Sequence, residues 1–503
     1  MLVLGWATSE ASWGTHWRGF MNTYDPHLPI TDSGPCAVGI VGLGVMGANL
    51  ARNLATNLDD PVAVYDLNPA SVNQLIVEHP ELPLIGFTDL AEFAASLRAP
   101  SVILLMVPAG LPVDSAGRAL LPYLKPGDIL IDGGNSHYRD TERRIGEWAQ
   151  AGVRFLGMGT SGGEQGALHG PSLMPGGDPG VWETISPVFE PIAAKALDGT
   201  PCVMLVGSGA SGHFTKMIHN GIEYADLQLI AEVYTLLRAG GLSVEEVAEA
   251  FSEWNTGVDH SYLLDATVQV LSTADPLGDG ALIELVSDQA KGKGTGAWTV
   301  IAAAELGVSA SIVAEALFAR SFSSASSERI AWKQLGASAI DSVDLTPNTV
   351  GKAYMAARLF AYQQGLSLLH AGSAEYGWDV NLAEVVGIWR AGCIIQAGFL
   401  DTLREHYAKS ADPVFLTSSP FSEQIVGAAS SLQQTVAQAS MAGVPTPALS
   451  AALNYLAMAR SEQLPTALVQ LLRDHFGSHT FERIDRPGSF HLQWERDAPK
   501  KKL

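Results

Sequence analysis

An apolar run that stops in a glycine turn narrows the possible folds of this chain more than any other stretch. Val38-Gly-Ile-Val-Gly-Leu-Gly-Val-Met-Gly47 predicts a buried strand joined directly to the turn, and Ala48 to Leu58 reads as the helix that follows. The spacing of Gly42, Gly44 and Gly47 allows a tight turn, close approach of backbone to a pyrophosphate, and close packing of helix on strand. Such glycines alone are a weak signal. Here Val62-Ala-Val-Tyr-Asp66 supplies a second strand ending in an acid 19 residues after Gly47, so both halves of a dinucleotide-binding unit occur together. Strand patterns at Val102 to Val107 and Ile129 to Asp132, with helical patterns between them, predict a parallel sheet. They close in Val107-Pro-Ala-Gly110 and Asp132-Gly-Gly-Asn-Ser136, turns placed where open α/β sheets bind ligands.

The chain's 503 residues, 47% of them hydrophobic, suffice for two to three domains, and no uninterrupted apolar run nears the roughly 20 residues that span a bilayer. A net charge of −22 disfavours nucleic acid or an anionic membrane as the main partner, and an anionic substrate would need a local cluster of Lys and Arg. Cys36, Cys202 and Cys393 lack metal-ligand spacing and fit a reducing, cytoplasmic setting as buried small residues. No metal site is expected. Residues 1–34 show neither periodicity nor a clear signal peptide and read as an irregular arm.

Lys216-Met-Ile-His-Asn-Gly-Ile-Glu-Tyr224 reads as helix with Lys216, His219, Asn220, Glu223 and Tyr224 on one side. Met217, Ile218, Ile222 and Ala225 face the other way, as in an amphipathic helix with its polar side in water. Solvated faces favour repeated Glu and Lys, however, whereas here an amine, an imidazole, an amide, a carboxylate and a phenol each occur once. That is a set of reactive groups.

Gly42-Leu-Gly-Val-Met-Gly47, Asp132-Gly-Gly-Asn-Ser136, Ser161-Gly-Gly-Glu-Gln-Gly-Ala167, Pro171-Ser-Leu-Met-Pro-Gly-Gly177, Lys216 to Tyr224, Lys293-Gly-Thr-Gly296 with Trp298, and Arg473-Asp-His-Phe-Gly-Ser-His479 together resemble the 6-phosphogluconate dehydrogenases. The resemblance runs from about residue 37 to about residue 494. It implies an α/β Rossmann-type N-terminal domain followed by a large all-α domain and a short C-terminal tail. The expected divisions are an extension over 1–34, the dinucleotide-binding domain over 35–210, a helical substrate and dimerisation domain over 211–472, and a tail over 473–503 that reaches the partner subunit of a homodimer. Helical periodicity does dominate from Ser211 to about Leu472, with long stretches at Gly351 to Ala371 and Asn381 to Tyr407.

The activity implied is oxidative decarboxylation of 6-phospho-D-gluconate to D-ribulose 5-phosphate and CO2 in the oxidative pentose phosphate pathway. Hydride leaves a carbon only as its hydroxyl loses a proton, and by resemblance Lys216 is that base. The resulting keto group lies β to the carboxylate and accepts the electrons released with CO2, so neither a metal nor a Schiff base is required. Glu223, about 10 Å along the helix, would protonate the enediol carbon. Asn135, Ser161, Gly162, Gly163, His219 and Asn220 match positions that hold sugar hydroxyls and carboxylate. Tyr224, Lys293, Arg320, Arg473 and His479 match those that grip the phosphate, the last two from the other subunit. Coenzyme contacts are expected from Gly42, Leu43, Gly44, Val45, Met46, Gly47, Asp66, Leu67, Asn68, Val107, Pro108, Ala109 and Asn135.

NADP-using members carry Asn-Arg-Thr after the second strand and a lysine in the Val-Lys-Ala-Gly turn, whereas this chain has Asp66-Leu67-Asn68 and Pro108. An aspartate there hydrogen-bonds ribose hydroxyls and repels a 2′-phosphate, so NAD is favoured over NADP, the family's usual coenzyme. The nearest competing readings are a β-hydroxyacid dehydrogenase of the 3-hydroxyisobutyrate type and a non-catalytic nucleotide-binding protein on the same fold.

Overall fold

A computed structural model describes residues 35–292, 294–334 and 342–494. The expected arm over 1–34 lies outside the described residues. The N-terminal part is a seven-stranded sheet in the order β3-β2-β1-β4-β5-β6-β7. Its strands are β1 (Val38–Val41), β2 (Val62–Tyr65), β3 (Leu84–Phe87), β4 (Val102–Leu105), β5 (Ile129–Asp132), β6 (Arg154–Ser161) and β7 (Ser172–Gly176). All neighbours pair in parallel except β7, which runs antiparallel to β6. Strands β1, β2, β4 and β5 are buried throughout. Alternate residues serve the two faces: Val38, Ile40, Val64 and Leu104 pack on one side, Ala63, Tyr65, Ile103 and Leu105 on the other. The glycine turn is forced by contact. Gly42 adopts φ +99°, and a Cβ on Gly47 would stand 2.0 Å from the Gly42 carbonyl oxygen.

Beyond the sheet the protein is helical, built around the antiparallel-packed pair Ser211–Ala239 and Pro347–Tyr376. Glycine lets these two close on each other, since a Cβ on Gly365 would meet Ile222 at 2.6 Å and one on Gly372 would meet Phe214 at 2.5 Å. The expected stretch from Gly351 to Ala371 falls inside the second of them. The stretch from Asn381 to Tyr407 is not one helix but two, Leu382–Ile388 and Leu400–Lys409, with an irregular loop between. Periodicity gives way there to contact with the sheet domain. Gly392 is left-handed at φ +67°, its carbonyl accepts the Ser172 N–H at 2.9 Å, and Arg390 bonds Asp198 and Asp401 at 2.8 Å each. The expected start of the tail at 473 falls within the Thr466–Gly477 helix, which a short hairpin pairing Phe481–Glu482 with Ser489–Phe490 follows. Among the described residues, no helix is long and apolar enough to cross a membrane.

The Ser211–Ala239 helix starts directly on β6 and β7. A Cβ on Gly212 would lie 2.4 Å from the carbonyl oxygens of both Gly157 and Met174, and 2.6 Å from Gly176 N. One on Gly159 would lie 2.3 Å from Lys216 Cβ. Backbone thus meets backbone without a side chain between. Gly212→Ala is expected to lower stability by about 1–3 kcal/mol through overpacking, seen as a lower thermal midpoint. An unchanged midpoint would mean that the helix can shift away freely.

Candidate active site

A cavity of about 1020 Å3 opens over the carboxyl ends of β1, β2, β4 and β5. Gly42, Gly44, Val45, Met46, Gly47, Asp66, Leu67, Val107, Pro108, Ala109 and Asn135 line it, as expected for coenzyme contacts. Leu43 and Asn68, also expected there, do not. Leu43 is buried beneath the turn, and its N–H donates to Asp66 Oδ2 at 2.7 Å, while the Asn68 N–H donates to Asp66 Oδ1 at 2.8 Å. They shape the acid's position instead. The residues fit a dinucleotide, because the helix beginning at Val45 has no side-chain cap and the space beside Gly44 is open, leaving its first N–H groups to an anion. Thr160 and Trp298 also line it, whereas no Lys or Arg among the described residues does.

The polar stripe of the Ser211–Ala239 helix does not face water. Lys216, His219, Asn220 and Tyr224 are buried, and the Glu223 side chain keeps 24% of its surface. His219 Nε2 lies 3.0 Å from Ser161 Oγ at the end of β6, and His219 Nδ1 lies 3.1 Å from Asn220 Oδ1 and 3.4 Å from Lys216 Nζ. A neutral ring with its proton on Nδ1 satisfies both neighbours, donating to Asn220 and accepting the Ser161 hydroxyl. Glu223 Oε2 stands 3.9 Å from the same Nδ1. Gly162 and Gly163 follow in positive φ, and a Cβ on Gly162 would strike the Gly392 carbonyl at 2.7 Å, so the irregular loop closes over this end.

Desolvation sets the charge states. Burial pulls the Lys216 amine down to about 8, against the opposing pull of Glu223. It drives the His219 imidazole well below its ordinary value, with Lys216 adding to the effect. The Glu223 carboxyl moves up for the same reason, Lys216 and Arg320 opposing. All three groups are pushed toward neutrality.

Two helical turns from Lys216, Tyr224 borders a second cavity of about 400 Å3 with Lys291, Gly292, Gly294, Arg320, Ser321 and Ser324. The Arg320 guanidinium sits 3.8 Å from the centre of the Tyr224 ring. Lys293 lies outside the described residues, though both its neighbours border this cavity. Arg473 and His479 do not border it. Arg473 bonds Gln470 at 3.1 Å on the exposed tail, and the single chain does not bring either residue to Tyr224. Lys291 borders this cavity although it lies outside the Lys293-Gly-Thr-Gly296 motif, because its place beside Tyr224 is a product of the fold.

The family described as "6-phosphogluconate dehydrogenase, C-terminal domain" matches residues 212–494, and "NAD binding domain of 6-phosphogluconate dehydrogenase" matches residues 37–207. The chain belongs to the 6-phosphogluconate dehydrogenase family. It is 43% identical over 463 residues to the decarboxylating 6-phosphogluconate dehydrogenase of Salmonella typhimurium, covering 91% of this chain and 98% of that one. It is 42% identical over 484 residues to the chloroplastic decarboxylating enzyme 2 of rice, covering 93% and 95%. Among solved structures, the 6-phosphogluconate dehydrogenase of Plasmodium falciparum, described in apo form and with NADP+ or 6-phosphogluconate, superposes with a TM-score of 0.87 at 35% identity, covering 91% of this chain and all of that one.

Proposed function

We propose that this 6-phosphogluconate dehydrogenase family member converts 6-phospho-D-gluconate to D-ribulose 5-phosphate and CO2, as the decarboxylating step of the oxidative pentose phosphate pathway. The observation that carries this reading is a buried lysine of lowered pKa on one helix face with a carboxyl of raised pKa, between a dinucleotide cavity and a cation-bearing cavity. The substrate lies along that face. Arg320, Tyr224 and Lys293 hold its phosphate end, and Ser161, Gly162, Gly163, His219, Asn220 and Asn135 hold hydroxyls and carboxylate. A nicotinamide coenzyme in the larger cavity supplies the hydride acceptor.

Neutral Lys216 takes the C3 hydroxyl proton as C3 becomes a ketone. The C1–C2 bond then breaks, its electron pair moves toward the ketone, and Lys216 returns its proton to that oxygen, leaving an enediol. Glu223, its carboxyl pushed up by burial, donates a proton to the enediol carbon while Lys216 takes back the proton of the enediol oxygen, which completes the ketose. Assay with 6-phosphogluconate tests the reading through coupled formation of reduced coenzyme and CO2. Turnover of 3-hydroxyisobutyrate in its place would overturn it.

The active unit is a homodimer in which the partner's tail completes the phosphate site. The Thr466–Gly477 helix exposes Leu468, Val469, Leu472 and Phe476 along with Arg473, an apolar face that needs a cover. NAD is the preferred coenzyme, since Asp66 meets the groove and no Lys or Arg lines it among the described residues.

With the Lys216 base neutral only above its pKa, kcat/KM is expected to fall as pH drops through about 8, and Lys216→Met is expected to cut kcat about 100-fold or more while retaining part of the substrate affinity. A flat profile, or a variant that still turns over well, would remove Lys216 as the base. Steady-state rates with both coenzymes are expected to give the larger kcat/KM for NAD; a clearly larger value for NADP would reverse the assignment. Arg473→Ala is expected to raise KM for the phosphorylated acid more than for the coenzyme, and an unchanged KM would place the tail outside the site.

A further inference from the structure

Arg144, on the Tyr138–Ala149 helix, is fully buried and touches both loops that carry the far wall of the coenzyme cavity. Its Nε and Nη2 donate to the two oxygens of Asp114 at 2.9 and 3.1 Å, and Nη2 also donates to the Gly110 carbonyl at 2.9 Å. Its Nη1 reaches Asp132 Oδ2 at 3.3 Å and Ser136 Oγ at 3.5 Å. Gly110 ends the turn in which Val107, Pro108 and Ala109 line the cavity, and Asp132 begins the turn in which Gly133, Gly134 and Asn135 line it. Asp132 is itself bonded inside that turn, accepting from Gly134 N at 3.0 Å and from the Ser136 hydroxyl at 2.6 Å.

The same helix face reaches the Lys216 helix. Thr141, one turn before Arg144, lies 2.6 Å from Nδ1 of buried His213, itself one turn before Lys216. Stability is a poor reason for such an arrangement, because a buried guanidinium between two carboxylates is commonly no better than apolar packing of the same volume. Arginine's rigid fork does, however, hold two acceptors at a fixed separation.

We infer that Arg144 is a positioning residue for hydride transfer: it fixes the two coenzyme loops against each other and, through its helix, against the Lys216 helix. It contacts neither substrate nor reacting atoms. The inference rests on the reaction proposed above.

The test uses the full-length protein and two variants, Arg144→Lys and Asp114→Asn. The second keeps Arg144 and the shape of its partner should the first fail to fold. Expected results are coenzyme affinity weakened on the order of 10-fold by tryptophan fluorescence without substrate, substrate affinity unchanged, and kcat lowered about 10- to 100-fold, the scale of a small misplacement. The deuterium isotope effect on kcat with 3-deuterated 6-phosphogluconate should rise, because misplacement slows hydride transfer itself. A lower kcat with unchanged isotope effect and coenzyme affinity would mean only a smaller folded fraction and would overturn the inference, as would wild-type constants in both variants. Absence of turnover in the wild-type protein would instead strike the proposed reaction, leaving the coenzyme-affinity arm to judge Arg144.

Discussion

Everything at this site depends on how closely one helix can lie on one sheet edge. The Ser211–Ala239 helix meets β6 and β7 at Gly157, Gly159, Gly176 and Gly212, where any Cβ would come within 2.6 Å of its neighbours. Removing four side chains from the contact lowers the helix by the thickness of a side-chain layer. Lys216 then sits against the strand whose Thr160 lines the coenzyme cavity. The same contact explains why the helix begins where it does, at a strand pair rather than in a loop.

Burial is the second consequence. A lysine, a histidine and a glutamate taken out of water together are each driven toward the uncharged form, so desolvation shifts the two bases down and the acid up. Those are the forms in which an amine accepts a proton and a carboxyl donates one. Arg320 is different in kind, since a guanidinium keeps its charge and rests on the Tyr224 ring beside a more open cavity. Charge is therefore retained where an anion would be gripped and suppressed where protons would move. In a chain with net charge −22, that separation sets a local positive group beside the second cavity.

Much of this is legible in the residues alone. The glycine turn and Asp66 lie close together in sequence and carry local backbone demands, so their pattern survives without context. The Gly351 to Ala371 helix was readable because a buried helix repeats its apolar residues over many turns. The stretch from Asn381 to Tyr407 was misleading for the same reason, since its periodicity is real but Gly392 and Arg390 are bound to the sheet domain and interrupt it. Leu43 and Asn68, expected among the coenzyme contacts, give their N–H groups to the Asp66 carboxylate, a pairing that the sequence pattern does not record. Arg144 carried no signal at all. A charged residue in an amphipathic helix reads as surface until the acids that bury it, Asp114 and Asp132, are brought from other segments.

Residue spacing is enough to specify the dinucleotide-binding unit, the largely helical remainder and the set of reactive groups along Lys216 to Tyr224, because each rests on patterns within one element or between neighbouring ones. Packing between distant segments settles that this polar face is buried, that the coenzyme cavity offers Asp66 and no lysine or arginine from the described residues, and that Arg144 joins two loops. Burial and charge pairing are properties of segments far apart in the chain, and no local pattern records which of them will meet.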